Sequence, residues 1–180
     1  MKITSKEYEI RRNKVLKGLK GSAGIVYSGD EKSGLHSFWK PHPHFQYLTG
    51  IMNEPGAALL FDPSNADKSK QIILFLKPLN PELEKWDGLR KEITAELANS
   101  LAIKTIKRTN YLSATISDVI KRTRNFATLM PPNLLGAVSP DLLLWQEVSS
   151  QLPECLIKDL SSLIPSLRRL KSDSEIEIIK

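Results

Sequence analysis

Ala57-Ala58-Leu59-Leu60-Phe61 and Gln71-Ile72-Ile73-Leu74-Phe75-Leu76 are two apolar runs of strand length, joined by the polar segment Asp62 to Lys70 with Pro63, Ser64 and Asn65. That composition suits a hairpin connection, so this stretch predicts an antiparallel meander. Upstream, Ala23-Gly24-Ile25-Val26-Tyr27 is a third short run, apolar on both faces and suited to an inner strand. Downstream the pattern turns to alternation. A helix is expected over 89–101, with Ile93, Leu97 and Leu101 on one face, then a strand over 103–106. A helix over 111–124 and a strand over 126–130 follow. Ser139-Pro140-Asp141 opens a further helix to Leu152, and 155–160 reads as an edge strand. Such succession calls for parallel crossovers. The reading is α/β: a mixed β-sheet flanked by helices on both faces.

The two ends carry capping signals. Thr4-Ser5-Lys6-Glu7 has the form of a capping box, with Thr4 accepting from the Glu7 amide and Glu7 reaching back. Tyr8, Arg11, Arg12, Val15, Leu16 and Leu19 follow at helical spacing. Residues 28–44, with Gly29, Gly34, Pro41 and Pro43, read as an irregular loop. Ser172-Asp173-Ser174-Glu175 is a second capping box, only a few residues before Lys180. A helix that short is marginal alone, because nucleation is costly. The pattern predicts a longer natural polypeptide, with one domain over 1–171 and the start of a following helix over 172–180.

Composition narrows the function classes. The 180 residues are 41% hydrophobic and 26% charged, which argues for a globular domain over a disordered chain. One cysteine, Cys155, allows no internal disulfide and no four-cysteine zinc site. No apolar run has membrane-spanning length, so no membrane partner and a cytoplasmic location are expected. Net charge is +6, concentrated in residues 1–20 and 101–125. The basic residues fall on helices without the interleaved aromatics of a stacking platform. They read as solvated helix faces, and no nucleic-acid partner is expected.

His36, His42 and His44 share one Pro-containing loop, and His42 with His44 could offer two imidazoles to a metal. No third ligand lies close in sequence, so the solvent-exposed-loop reading is preferred and no metal is assigned. Nucleophile-elbow, zinc-protease and phosphate-loop motifs are missing. Two spots break local rules. Phe38-Trp39-Lys40-Pro41 followed by Phe45-Gln46-Tyr47-Leu48-Thr49-Gly50 concentrates aromatic side chains, and Trp86-Asp87-Gly88-Leu89-Arg90 puts Trp, Gly and Arg in a polar connection. Loop aromatics line clefts or anchor interfaces, and Arg suits carboxylates; Trp86 folding back over the sheet is the equal alternative.

These residues, with the opening helix Tyr8-Glu9-Ile10-Arg11-Arg12, Glu54-Pro55-Gly56-Ala57 and the closing Leu167-Arg168-Arg169-Leu170-Lys171-Ser172-Asp173-Ser174-Glu175-Ile176, carry a resemblance. The chain resembles the N-terminal, non-catalytic domain of the Xaa-Pro aminopeptidases (aminopeptidase P), in the creatinase/prolidase "pita-bread" group. The resemblance implies a metalloprotease parent whose C-terminal catalytic domain, entered near Glu175, holds two manganese ions through two Asp, one His and two Glu. That centre hydrolyses the bond before proline. It implies no catalytic residue, metal or cofactor in this chain, which shapes the substrate cleft and subunit contacts and is inactive alone. Partners would be the chain's own catalytic domain, proline-containing peptides and further copies in a homo-oligomer. Arg90 leads the cleft or subunit-contact candidates, with Trp86, Lys40, His44 and Tyr47. Lys40, His44, Gln46 and Glu92 depart from the family pattern. A prolidase or creatinase-type hydrolase, or a free-standing binding module, are the alternatives.

Overall fold

The computed structural model describes residues 3–30, 39–79, 92–132 and 138–179. Six strands form one sheet: β1 (Ala23–Tyr27), β2 (Ala58–Phe61), β3 (Ile72–Leu76), β4 (Thr105–Arg108), β5 (Asn125–Thr128) and β6 (Leu156–Asp159). Their spatial order is β4-β3-β2-β1-β5-β6. Only β2 runs against its neighbours, pairing antiparallel with β1 and β3, while β3–β4, β1–β5 and β5–β6 are parallel. The polar link over 62–71 reverses the chain between β2 and β3, whereas β1 and β2 are joined by the long segment 28–57, which includes a helix.

Alternation along the central strands builds two cores. Val26, Leu59, Phe61, Leu74 and Leu76 face one side. Ile25, Ala58, Leu60, Ile73 and Phe75 face the other. Complete burial of a side chain such as Phe61 or Phe75 contributes about 2–3 kcal/mol of transfer free energy. The first face is covered by α1 (Ser5–Gly18), α2 (Pro43–Thr49), α3 (Ala95–Leu101) and α6 (Leu163–Arg169). The second is covered by α4 (Leu112–Arg122) and α5 (Pro140–Gln151). A last helix, α7 (Asp173–Ile179), follows α6 directly. The mixed sheet with helices on both faces is therefore present, with β6 at an edge as expected.

Several boundaries differ from the sequence reading. α3 begins at Ala95, where Thr94 accepts from the Leu97 amide, so Ile93 lies outside it and is 39% exposed rather than inward. β4 lies two residues later than 103–106, because Ile103 is buried in the turn that closes α3. The loop expected over 28–44 ends early: His42 caps α2 and Pro43 opens it. α6 was not expected at all. Its Pro165 sits in the first turn, where a missing N–H costs nothing.

Buried polar groups pin the layers. Asp141, fully buried at the start of α5, accepts from the amides of Leu129 and Met130 at 2.6 and 2.9 Å. Trp145 stacks on Phe126 and donates its indole N–H to the Ala127 carbonyl at 3.0 Å.

Candidate functional site

Among the described residues, a polar constellation lies where α1, α2, α6 and α7 converge. Arg11 and Arg12, adjacent on α1, are 5% and 1% exposed, which overturns the solvated-face reading for these two cations. Arg12 donates to the Leu48 carbonyl at the end of α2 (2.9 Å) and to the Leu101 and Ala102 carbonyls at the end of α3 (2.9 and 2.8 Å). Helix C-termini carry partial negative charge, so one guanidinium satisfies two of them. Burial lowers its pKa to about 10, still far above neutrality.

Arg11 faces the other way. It donates to the Tyr47 carbonyl at 3.1 Å, lies over the Tyr47 ring at 4.3 Å and pairs with Glu7 and Glu175. Glu7 does not reach back to close its own capping box. Thr4 does accept from the Glu7 amide, but the Glu7 carboxylate accepts from the hydroxyls of Ser172 and Ser174 and from Arg11. Burial raises its pKa, and those three hydrogen bonds more than offset this, leaving it below the ordinary value. The second capping box is reciprocal: Ser172 Oγ accepts from the Glu175 amide, and the Glu175 carboxylate accepts from the Ser172 amide. The first and last described helices are thus bound by paired charges and hydroxyls. Such an arrangement holds and orients; it does not supply a nucleophile.

The Phe45–Gly50 segment is structural in its details. Phe45 and Leu48 are fully buried, and Thr49 Oγ1 donates to the Phe45 carbonyl while accepting from the Ile51 amide. Gly50 ends α2 at φ +70°, and a Cβ there would come within 2.5 Å of the Tyr8 ring. Glycine is required on both counts.

The sequence-derived candidates scatter. Arg90 and Trp86 lie outside the described residues, as does His36. Lys40 is exposed. Tyr47 is half-buried, with its hydroxyl donating to the Leu167 carbonyl at 3.4 Å. His44 is only 4% exposed, so the exposed-loop reading fails for it: α2 turns this side chain inward against α6. His44 and Tyr47 therefore share a helix and both meet α6; Lys40 joins neither. Sequence reasoning missed Arg11, Arg12 and Glu7. For the two arginines the one available signal was their place on the stripe of α1, which marks the face they share with the core and not their partners.

Among the described residues, no group of three or more His, Cys, Asp and Glu side chains could hold a metal ion. A cleft of about 360 Å³ opens at the C-terminal ends of β5 and β6, the usual place for a crevice in such sheets. Its walls include Thr128, Ser139, Gln146 and Asp159, and none of the sequence-derived candidates. No described helix is long and apolar enough to cross a membrane.

This architecture is that of a known class of domain. A Bacillus anthracis protein assigned as an aminopeptidase P matches 98% of this chain with a TM-score of 0.82 and 25% identity, and the match covers 43% of that protein. The Pseudomonas aeruginosa aminopeptidase PepP shares the fold at a TM-score of 0.75 and 23% identity. The family profile of the aminopeptidase P N-terminal domain matches residues 8–128, and the chain belongs to that family. Two curated relatives extend the likeness: the Schizosaccharomyces pombe intermediate cleaving peptidase 55 (28% identity) and the Haemophilus influenzae Xaa-Pro aminopeptidase (27%), each matching 99% of this chain. The chain spans 38% and 40% of their respective lengths.

Proposed function

We propose that this chain is the non-catalytic N-terminal domain of a metal-dependent Xaa-Pro aminopeptidase, with a domain over 1–171 and the entry to a catalytic domain over 172–180. The observation that carries the reading is the combination of the family match over 8–128 with near-complete coverage of this chain by relatives two to three times its length. The described residues do not fit a two-manganese centre, so no step at the metal is assigned to them. Their work is positional. The Glu7–Arg11–Glu175 cluster orients α7, and through it whatever follows. Arg90 and Trp86, outside the described residues, are the candidates for contact with the substrate cleft or a neighbouring subunit, since a guanidinium suits a peptide carboxylate or carbonyl. Proline-containing peptides are the substrates, the parent assembles as a homo-oligomer, and its location is the cytoplasm.

The reading frame beyond Lys180 tests this. Two Asp, one His and two Glu as metal ligands in the following few hundred codons support it. A stop codon at that point, or a frame without those ligands, replaces it with a binding module.

A further inference from the structure

His44 stands where α2 meets α6, and its surroundings depend on its charge. Arg168 of α6 approaches His44 Nδ1 at 3.4 Å. A guanidinium only donates, so Nδ1 must accept and the ring proton sits on Nε2. His44 Nε2 is buried and has no partner among the described residues. The His42 ring meets the His44 ring edge to face at 4.9 Å, and His42 Nδ1 accepts from the His44 amide.

We propose that His44 is a proton-operated latch that holds α6 on α2 while neutral and releases it when charged. Protonation places an N–H on Nδ1, facing the Arg168 donor, so a hydrogen bond becomes a donor–donor clash between two cations in a partly buried site. Among the described residues, the remaining charged or titratable neighbours do not relieve it. Arg11 and Arg12 of α1 are cationic and engage the carbonyls of Tyr47 and Leu48 at the far end of α2. On β1 the titratable group is Tyr27, a phenol that burial pushes up to about 12. Asp141 of α5 acts on His42, and its carboxylate is occupied by the amides of Leu129 and Met130. Burial, then His42, then Arg168 push the His44 pKa down to about 4, in keeping with this geometry. Release of α6 would also free the Tyr47–Leu167 contact and loosen the lead into α7.

Hydrogen–deuterium exchange of the full chain tests the latch, with rates corrected for intrinsic pH dependence. An opening that returns His44 to its ordinary pKa of 6.5 from about 4 becomes about 30-fold more populated between pH 7.5 and pH 5.0. Amides of 163–169 should lose that much protection, whereas those of β2 and β3 should not. In His44→Asn, whose side-chain oxygen keeps an acceptor near Nδ1 but does not titrate, the loss should fall to less than about threefold. An equal loss in the variant, or none in the native chain, overturns the proposal. NMR titration of the His44 ring gives a second reading that does not need the variant to fold. Its midpoint should lie well below 6.5, at the acid end of the range over which α6 loses protection, and Arg168→Gln should raise it. A midpoint near 6.5, or one unmoved by Arg168→Gln, contradicts the latch.

Discussion

Ser174 donates its hydroxyl hydrogen bond to the carboxylate of Glu7, 167 residues earlier in the chain. With Ser172 on the same carboxylate and Arg11 bridging Glu7 to Glu175, the last helix is fixed to the first by polar contacts. Glu7 takes the two hydroxyl contacts that hold α7, and Glu175 adds a direct pair to Arg11.

Glu7→Ala should cost about 1–2 kcal/mol, since it removes charge-assisted hydrogen bonds at a partly exposed site. The loss should be local, with faster amide exchange in α7 than in the sheet. Because the folded-state pKa of Glu7 is lowered, its contribution is complete above the ordinary value of 4.5 and disappears as pH falls through the lowered one. The native chain's stability should thus fall with pH below about 4.5 with a steeper slope than that of Glu7→Ala. Parallel slopes would remove Glu7 from this role.

Arg12→Met keeps the apolar stem but strips hydrogen bonds from the Leu48, Leu101 and Ala102 carbonyls. Leaving buried carbonyls unpaired should cost roughly 2–4 kcal/mol, read as a lower urea midpoint at unchanged m-value. Arg12→Lys should recover little of this, because one ammonium cannot span both helix ends as the planar guanidinium does. Full rescue by lysine would mean that charge alone matters there.

Asp141→Ala leaves the amides of Leu129 and Met130 without their buried acceptor. A loss of about 2–4 kcal/mol is expected, with exchange rising first in β5 and the first turn of α5. A variant within about 0.5 kcal/mol of the native chain, the range of ordinary surface substitutions, would show that the carboxylate is replaceable by water.

In the proposed parent aminopeptidase, the proposed cleft role of Arg90 predicts that Arg90→Ala lowers kcat/KM by about 100-fold or more, while shifting Tm by no more than about 2 °C. Matching losses of activity and stability would make Arg90 a packing residue.

The sheet was legible because its inner strands are continuous apolar runs of strand length, as strands buried on both faces must be. Alternate residues of 58–61 and 72–76 feed opposite cores, and the polar link between them admits only a reversal. α2 was not legible, since two prolines and two histidines over 41–44 carry loop composition; the usable signal was His42 as cap with Pro43 behind it. α6 was hidden by Pro165 for a similar reason. Arg11 and Arg12 were misread because burial of a cation depends on its partners. Those partners lie 36 residues away for both arginines, and 89 and 90 residues away for the α3 end. Local patterning contains no trace of such distances. Glu7 shows the same limit: its capping-box geometry was available, yet two hydroxyls from the far end of the chain compete successfully for its carboxylate.

The most direct test of the account is a peptidase assay of the pure 180-residue chain on a short Xaa-Pro peptide with added Mn²⁺, beside the same chain continued through its downstream frame. The account predicts no turnover by the chain alone and release of the residue before proline by the longer polypeptide. Proline-specific cleavage by the chain alone would contradict it.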